Sequence, residues 1–81
     1  MVLLMEISSG YNEAVSAEVR AEMARQRVTG TRLAVECGWK QPYLSRRITG
    51  AVPWTTNDLE QIARKLGIPI DALTSPRALS A

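Results

Sequence analysis

The stretch QPYLSRRITG, Gln41 to Gly50, gathers an amide, a phenol and two adjacent guanidinium groups, and it contains no carboxylate. Groups of these types bond flat polar edges and anions. Gln pairs bidentately with adenine and Arg with guanine, each good pair giving about 1–3 kcal/mol of discrimination between bases. A phenol can touch a thymine methyl or bond a phosphate. The counterion of the concentrated positive charge is expected to be the backbone of a nucleic-acid duplex. Two rival readings stand beside it. A basic run is often only a solvated face, and Arg46 or Arg47 can cap a helix or form a salt bridge to Asp58 or Glu60.

The net charge of +2 says little, whereas its distribution says more. Residues 1–24 carry Glu6, Glu13, Glu18 and Glu22 against Arg20 alone. Residues 25–57 carry Arg25, Arg27, Arg32, Lys40, Arg46 and Arg47 against Glu36 alone, an excess of five positive charges. The remainder balances, with three charges of each sign. A polarised chain of this kind attracts a polyanion to its middle third.

Other chemistries find little support. The single cysteine, Cys37, and the absence of histidine exclude an internal disulfide and a multi-cysteine or Cys/His metal site. Cys37 is read as a small core hydrophobe. Glu18 and Glu22 lie four apart on one helix face, but with no histidine and no glycine-rich phosphate loop they are read as a solvated face rather than a catalytic pair. Trp39 and Trp54 are read as core aromatics rather than base-stacking platforms. No cofactor, metal or small-molecule ligand is expected. MVLLM lacks a basic lead and a cleavage signature, and no run approaches ~20 apolar residues, so neither secretion nor membrane spanning is expected. A reducing cytoplasm, with the chain on the nucleoid, is the expected location.

Eighty-one residues allow one domain, and a chain so short buries only about 60% of its unfolded surface. With two Trp, two Tyr and no Phe, aliphatic residues must build the core. Val15, Val19 and Met23 recur every four residues after a potential cap at Asn12, predicting a first helix over 13–27. Thr29 caps a short second helix to Cys37 with Leu33, Ala34 and Cys37 inward. Gly38 stops it, and Trp39 follows as a plug. Pro42 suits the first turn of a third helix ending at Gly50. Leu44 and Ile48 form its narrow buried stripe, leaving Gln41, Tyr43, Arg46 and Arg47 off it. TTNDLEQIARKLG predicts a fourth helix capped at Thr55 or Thr56, with Asp58 in its first turn, an inward stripe of Leu59, Ile62, Ala63 and Leu66, and a stop at Gly67. Pro69 opens a last short helix with Ile70 and Leu73 inward. The division is an N-terminal extension (1–12), a helical domain (13–74) and a loose tail (75–81).

Leu33-Ala34, Gly38 and Leu44-Ser45-Arg46-Arg47-Ile48-Thr49-Gly50, with Pro53-Trp54 and Leu59-Glu60-Gln61-Ile62-Ala63-Arg64-Lys65-Leu66-Gly67 downstream, resemble the Cro/C1-type helix-turn-helix family of phage repressors and bacterial regulators. The resemblance covers about residues 15–73. It implies an all-α, compact five-helix, lambda-repressor-like DNA-binding domain, commonly a dimer on a palindrome, in which the exposed start of helix 3 reads bases. Carried onto this chain, it puts Gln41 and Tyr43 at base-facing positions, Arg46 one turn later and Lys40 where backbone contacts are usual. Where the family often has a glutamine bracing a phosphate, this chain has Gly30. Thr29, Thr31 and Arg32 then supply the replacement contacts, joined by Arg47 as a phosphate ligand.

The function expected is sequence-specific binding of double-stranded DNA by a small repressor or Cro-like regulator of phage or prophage origin, without catalysis. Two alternatives keep the fold and change the role. One is a protein-interaction module such as an antitoxin, holding its partner through MVLLM and helix 5. The other is an excision-type factor that bends DNA. The apolar MVLLMEI is expected either to pack on helix 5 or to contact a partner, a second copy included.

Overall fold

Helix α1, Val2–Gln26, runs without interruption through the stretch expected to be an extension. The computed structural model describes residues 2–74, with side chains described from Gly10 onward. The side chains of MVLLMEI and the whole tail 75–81 lie outside the described residues. Four more helices follow: α2 (Gly30–Cys37), α3 (Gln41–Thr49), α4 (Thr56–Leu66) and α5 (Asp71–Thr74). No strand occurs among the described residues. Twenty-five residues at 1.5 Å each make α1 about 37 Å long, as long as the greatest dimension of the 37 × 24 × 19 Å body.

The start of α1 corrects the expected boundary at residue 13. Asn12 does not cap it. Its Oδ1 instead accepts a bond from the Trp54 amide, 3.1 Å away, so the side chain that would have started a helix fastens the α3–α4 loop onto one. Gly10 lies inside α1 without breaking it, an interior glycine costing only about 1 kcal/mol.

Val15 and Val19, one turn apart on α1, meet Leu33 and Ala34 of α2, Leu44 of α3, Leu59, Ile62, Ala63 and Leu66 of α4, and Leu73 of α5 in one buried cluster. Met23, Val28, Cys37, Trp39, Ile48, Ile68 and Ile70 pack around it. Trp54 closes the cluster with its ring buried and its indole N–H donated to Ser16 Oγ at 2.8 Å. That bond satisfies the one polar atom that burial of an indole would otherwise strand.

Two turns hold α2 and set α3 after it. The Thr29 hydroxyl accepts from the Arg32 amide at 3.1 Å and caps the start of α2. At its end Gly38 takes φ 76°, and the amides of Gly38 and Trp39 return to Val35 O and Ala34 O at 3.0 and 2.8 Å. A side chain there would be strained, so glycine is what lets only three residues separate α2 from α3.

The far end of α3 is pinned from α1. Ser16 Oγ donates to Arg47 O at 3.2 Å, and Arg20 Nη1 donates to Ile48 O at 3.3 Å. Those carbonyls belong to the last turn, where amides are scarce: Arg47 O also accepts from the Gly50 amide at 3.2 Å. With Leu44 and Ile48 turned inward, α3 is held along one side and at its C-terminal end.

Candidate nucleic-acid interface

At 100° per residue, Leu44 and Ile48 fix the buried direction of α3, and the position about 180° from their midpoint is Arg46. Arg46 is exposed, and no other described side chain bonds its guanidinium. Gln41, Lys40 and Pro42 are exposed at the start of the helix, and Thr49 is exposed at its end. Lys40, at the N-cap, makes no side-chain capping bond, and no acid occupies the first turn. Thr31, in the first turn of α2, is likewise exposed.

Tyr43 and Arg47 lie on a different flank, the one that faces α4. Both turn to a single carboxylate. Tyr43 donates its hydroxyl to Asp58 Oδ1 at 2.6 Å, and Arg47 Nε donates to Asp58 Oδ2 at 2.7 Å. Asp58 Oδ2 also accepts from the Thr55 amide at 3.1 Å, while the Thr55 hydroxyl accepts from the Asp58 amide at 3.1 Å, closing a capping box. Arg47 Nη1 reaches Tyr43 O at 3.2 Å, and its guanidinium carbon lies 3.7 Å from the centre of the Tyr43 ring. Trp39 covers the phenol as well, with ring centres 4.8 Å apart.

The expectation of an uncompensated charge therefore holds for one arginine of the pair and fails for the other. Arg47 is paired: its side chain is 13% exposed and that of Asp58 is 1% exposed. This is the rival salt-bridge reading, with Asp58 as the partner. A charge placed at such depth needs an opposite charge beside it, which is why Arg47 turns to α4 instead of outward as a phosphate ligand. The Tyr43 hydroxyl is likewise spent inside the molecule, leaving the half-buried ring edge as the part open to a ligand.

Titration behaviour follows from the same contacts. Acceptance of its proton by Asp58, with burial adding to it, pushes the Tyr43 phenol above its ordinary range. For Asp58, burial works upward, but bonds from Tyr43, Arg47 and Thr55 outweigh it and hold the carboxyl below its usual value. Cys37, half-buried against the core, has its thiol pushed up by burial and stays protonated, as a core residue would.

The other expected phosphate ligands divide by geometry. Arg32 pairs with Glu36 on the surface of α2, Nε to Oε2 at 3.1 Å, an exposed contact that a stronger anion readily displaces. Thr29 uses its hydroxyl oxygen as the α2 cap. Of the six bases in residues 25–57, Arg25, Arg32 and Arg47 are paired with acids. Arg27, Lys40 and Arg46 have no acidic partner among the described residues. Trp39, Pro42 and Tyr43, with Lys40, Arg46 and Gly38, line a shallow depression of about 470 Å³ at the head of α3.

Asp58 entered the sequence reading only as a rival salt-bridge partner, and Ser16, Arg20 and Thr49 did not stand out from the sequence as parts of this site. Thr49 was within reach of a helical projection, since it shares the outer side with Arg46. Ser16 carried a weaker signal, a lone hydroxyl beside the Val15 and Val19 stripe. Among the described residues no group of three or more potential metal ligands comes together, and no described helix is long and apolar enough to cross a membrane. Compared with models of protein families, with curated proteins and with solved structures, the chain matches none.

Proposed function

We propose that this chain is a sequence-specific DNA-binding regulator, a repressor or Cro-like protein of the lambda-repressor-like helix-turn-helix kind, in which α2 and α3 form the helix pair and α3 enters the major groove. The observation that carries this reading is Arg46, exposed, unpartnered among the described residues and directly opposite the buried stripe of α3, with Gln41 and Lys40 exposed at the start of the same helix. A groove about 12 Å wide admits one helix, and α3 offers it Arg46 on the outer side and Lys40 and Gln41 at the exposed N-terminal end. Gln41 and Arg46 read base edges, with the Tyr43 ring edge beside them. Lys40, Thr31 and Arg32 meet phosphates.

A further feature favours an anion at this end of the molecule. The first turns of α2 and α3 contain no acid, whereas α4 supplies its own carboxylate, Asp58, to its first turn. Free helix N-termini attract phosphate, and an internal carboxylate removes that attraction. The role requires no catalysis.

The experiment is selection of bound sequences from a random duplex pool, followed by affinity measured against salt. A regulator of this kind enriches a defined motif, two-fold symmetric where two copies bind, and its log affinity falls linearly with log salt. Absence of enrichment, or affinity independent of salt, refutes the reading.

A further inference from the structure

Tyr43 and Arg47 are one turn apart on the α4-facing flank of α3, and each ends on a different oxygen of the same carboxylate. We propose that Asp58, which is buried and out of reach of any duplex, determines sequence specificity by clamping the roll of α3 about its own axis and by keeping the Arg47 charge away from the phosphates. The inference rests on the DNA-binding reading above and goes beyond it, because it assigns discrimination to a residue that touches no base.

The physical grounds are positional. Leu44 and Ile48 hold α3 against the core and the bonds from Ser16 and Arg20 tether its last turn, but along the rest of the helix an apolar stripe tolerates small rotations, since dispersion contacts carry no direction. Hydrogen bonds do carry direction. The clamp joins two points separated by about 6 Å along the axis, the rise of one turn and a fraction, and its anchor is fixed in turn by the Thr55 capping box. Without it, a roll of about 20° at a side-chain radius of about 6 Å carries the Arg46 tip by about 2 Å. Bidentate pairing with a base edge fails over such a distance, because these bonds weaken outside a range of a few tenths of an ångström. Attraction to phosphates survives it. The second effect adds to the first: an Arg47 released from Asp58 becomes an additional cation for a backbone that is the same at every sequence.

Asp58→Asn isolates the effect. The substituted amide can still accept from Thr55 but has lost the charge that holds Arg47. Binding is measured for a selected duplex and for a scrambled duplex of the same length over a range of salt, after circular dichroism has verified the helical content. The ratio of the two affinities is expected to fall about tenfold or more, with scrambled-duplex binding maintained or tightened. The slope of log affinity against log salt is expected to steepen by about 0.9, the value of one added phosphate contact. Adding Arg47→Met to Asp58→Asn is expected to return the slope to that of the unaltered chain. Where Asp58→Asn does not fold, Tyr43→Phe, which removes only the 2.6 Å bond, is expected to lower the ratio several-fold by itself.

A merely structural role behaves differently: affinity for both duplexes falls in parallel with the folded fraction, and the slope stays where it was. That outcome, or a ratio within twofold of the unaltered chain in the folded variant, overturns the inference while leaving the DNA-binding reading intact. An unaltered chain that retains neither duplex overturns both.

Discussion

Arg46 and Arg47 are neighbours in sequence with opposite circumstances. One step of about 100° around α3 takes the chain from a guanidinium that no described side chain bonds to one held 2.7 Å from a buried carboxylate. The difference comes from what lies across from each. Arg47 and Tyr43 face α4, where Asp58 already has its place in a capping box. Arg46 faces away from every packed element. A basic dipeptide is thus two different things: one arginine fastens the helix, and the other stands exposed. Counting charge along the sequence treats them alike, while the fold separates them.

That contrast is broken most severely at its buried end. Asp58→Ala leaves Arg47 uncompensated at 13% exposure, and loss of one partner of a buried pair costs about 3–5 kcal/mol. At roughly 4–8 °C per kcal/mol for a domain of this size, the melting temperature falls by more than about 12 °C. Arg46→Ala, by contrast, changes stability by less than about 0.5 kcal/mol. Thermal denaturation of the two variants side by side checks this, and equal shifts would erase the distinction.

Binding reverses the order of importance. Arg46→Ala and Gln41→Ala are each expected to lose about 1–3 kcal/mol of preference for the selected sequence over its single-base variants. Lys40→Ala is expected to weaken all sequences alike and to reduce the salt slope by about 0.9. Quantitative competition with base-substituted duplexes separates the two patterns.

Acid sharpens the comparison further. The Asp58 carboxyl titrates below its unfolded value of about 3.9, so its ionised form is the one folding favours. The stability it contributes is complete above that unfolded value and is lost as pH falls through the lower folded one. Denaturation followed between about pH 5 and pH 2 is expected to show this loss in the unaltered chain and a shallower fall in Asp58→Asn. Arg46→Ala should follow the unaltered chain.

The smallest effects concern the turns on either side of α2. Arg27 ends α1 with φ 57°, a left-handed conformation that costs a side-chain-bearing residue about 1–2 kcal/mol. Arg27→Gly is therefore expected to gain up to about 1 kcal/mol, part of the relieved strain being offset by glycine's chain entropy. Gly38→Ala is expected to lose about as much. Chemical denaturation measures both.

Local features of the fold were legible in the sequence. The Thr29 and Thr55 caps, the stops at Gly38, Gly50 and Gly67, and the inward stripes of α2 and α4 each depend on residues within one or two turns. The start of α1 was not legible, because Asn12 offers the same local signal whether it caps a helix or, as here, bonds Trp54 from within one. Nor was the true environment of Asp58. As a first-turn acid Asp58 could be named as a partner for Arg46 or Arg47, but its burial, and which arginine it takes, follow from contacts far apart in sequence. The same holds for Ser16 with Trp54 and Arg20 with Ile48, contacts spanning 38 and 28 residues. Periodicity placed both arginines off the core stripe but could not say which would meet a neighbouring helix, since that depends on how α3 lies against α4.

The central claim is that the outer side of α3 meets duplex DNA while its α4-facing flank stays closed. Nuclear magnetic resonance of the backbone amides and arginine Nε–H groups during titration with a selected duplex tests it most directly. The account predicts that Lys40, Gln41 and Arg46 shift with Thr31, while the Arg47 Nε–H keeps its Asp58-bonded position. Shifts gathered on α5 and α1 with α3 silent, or release of Arg47 from Asp58 on binding, would contradict it.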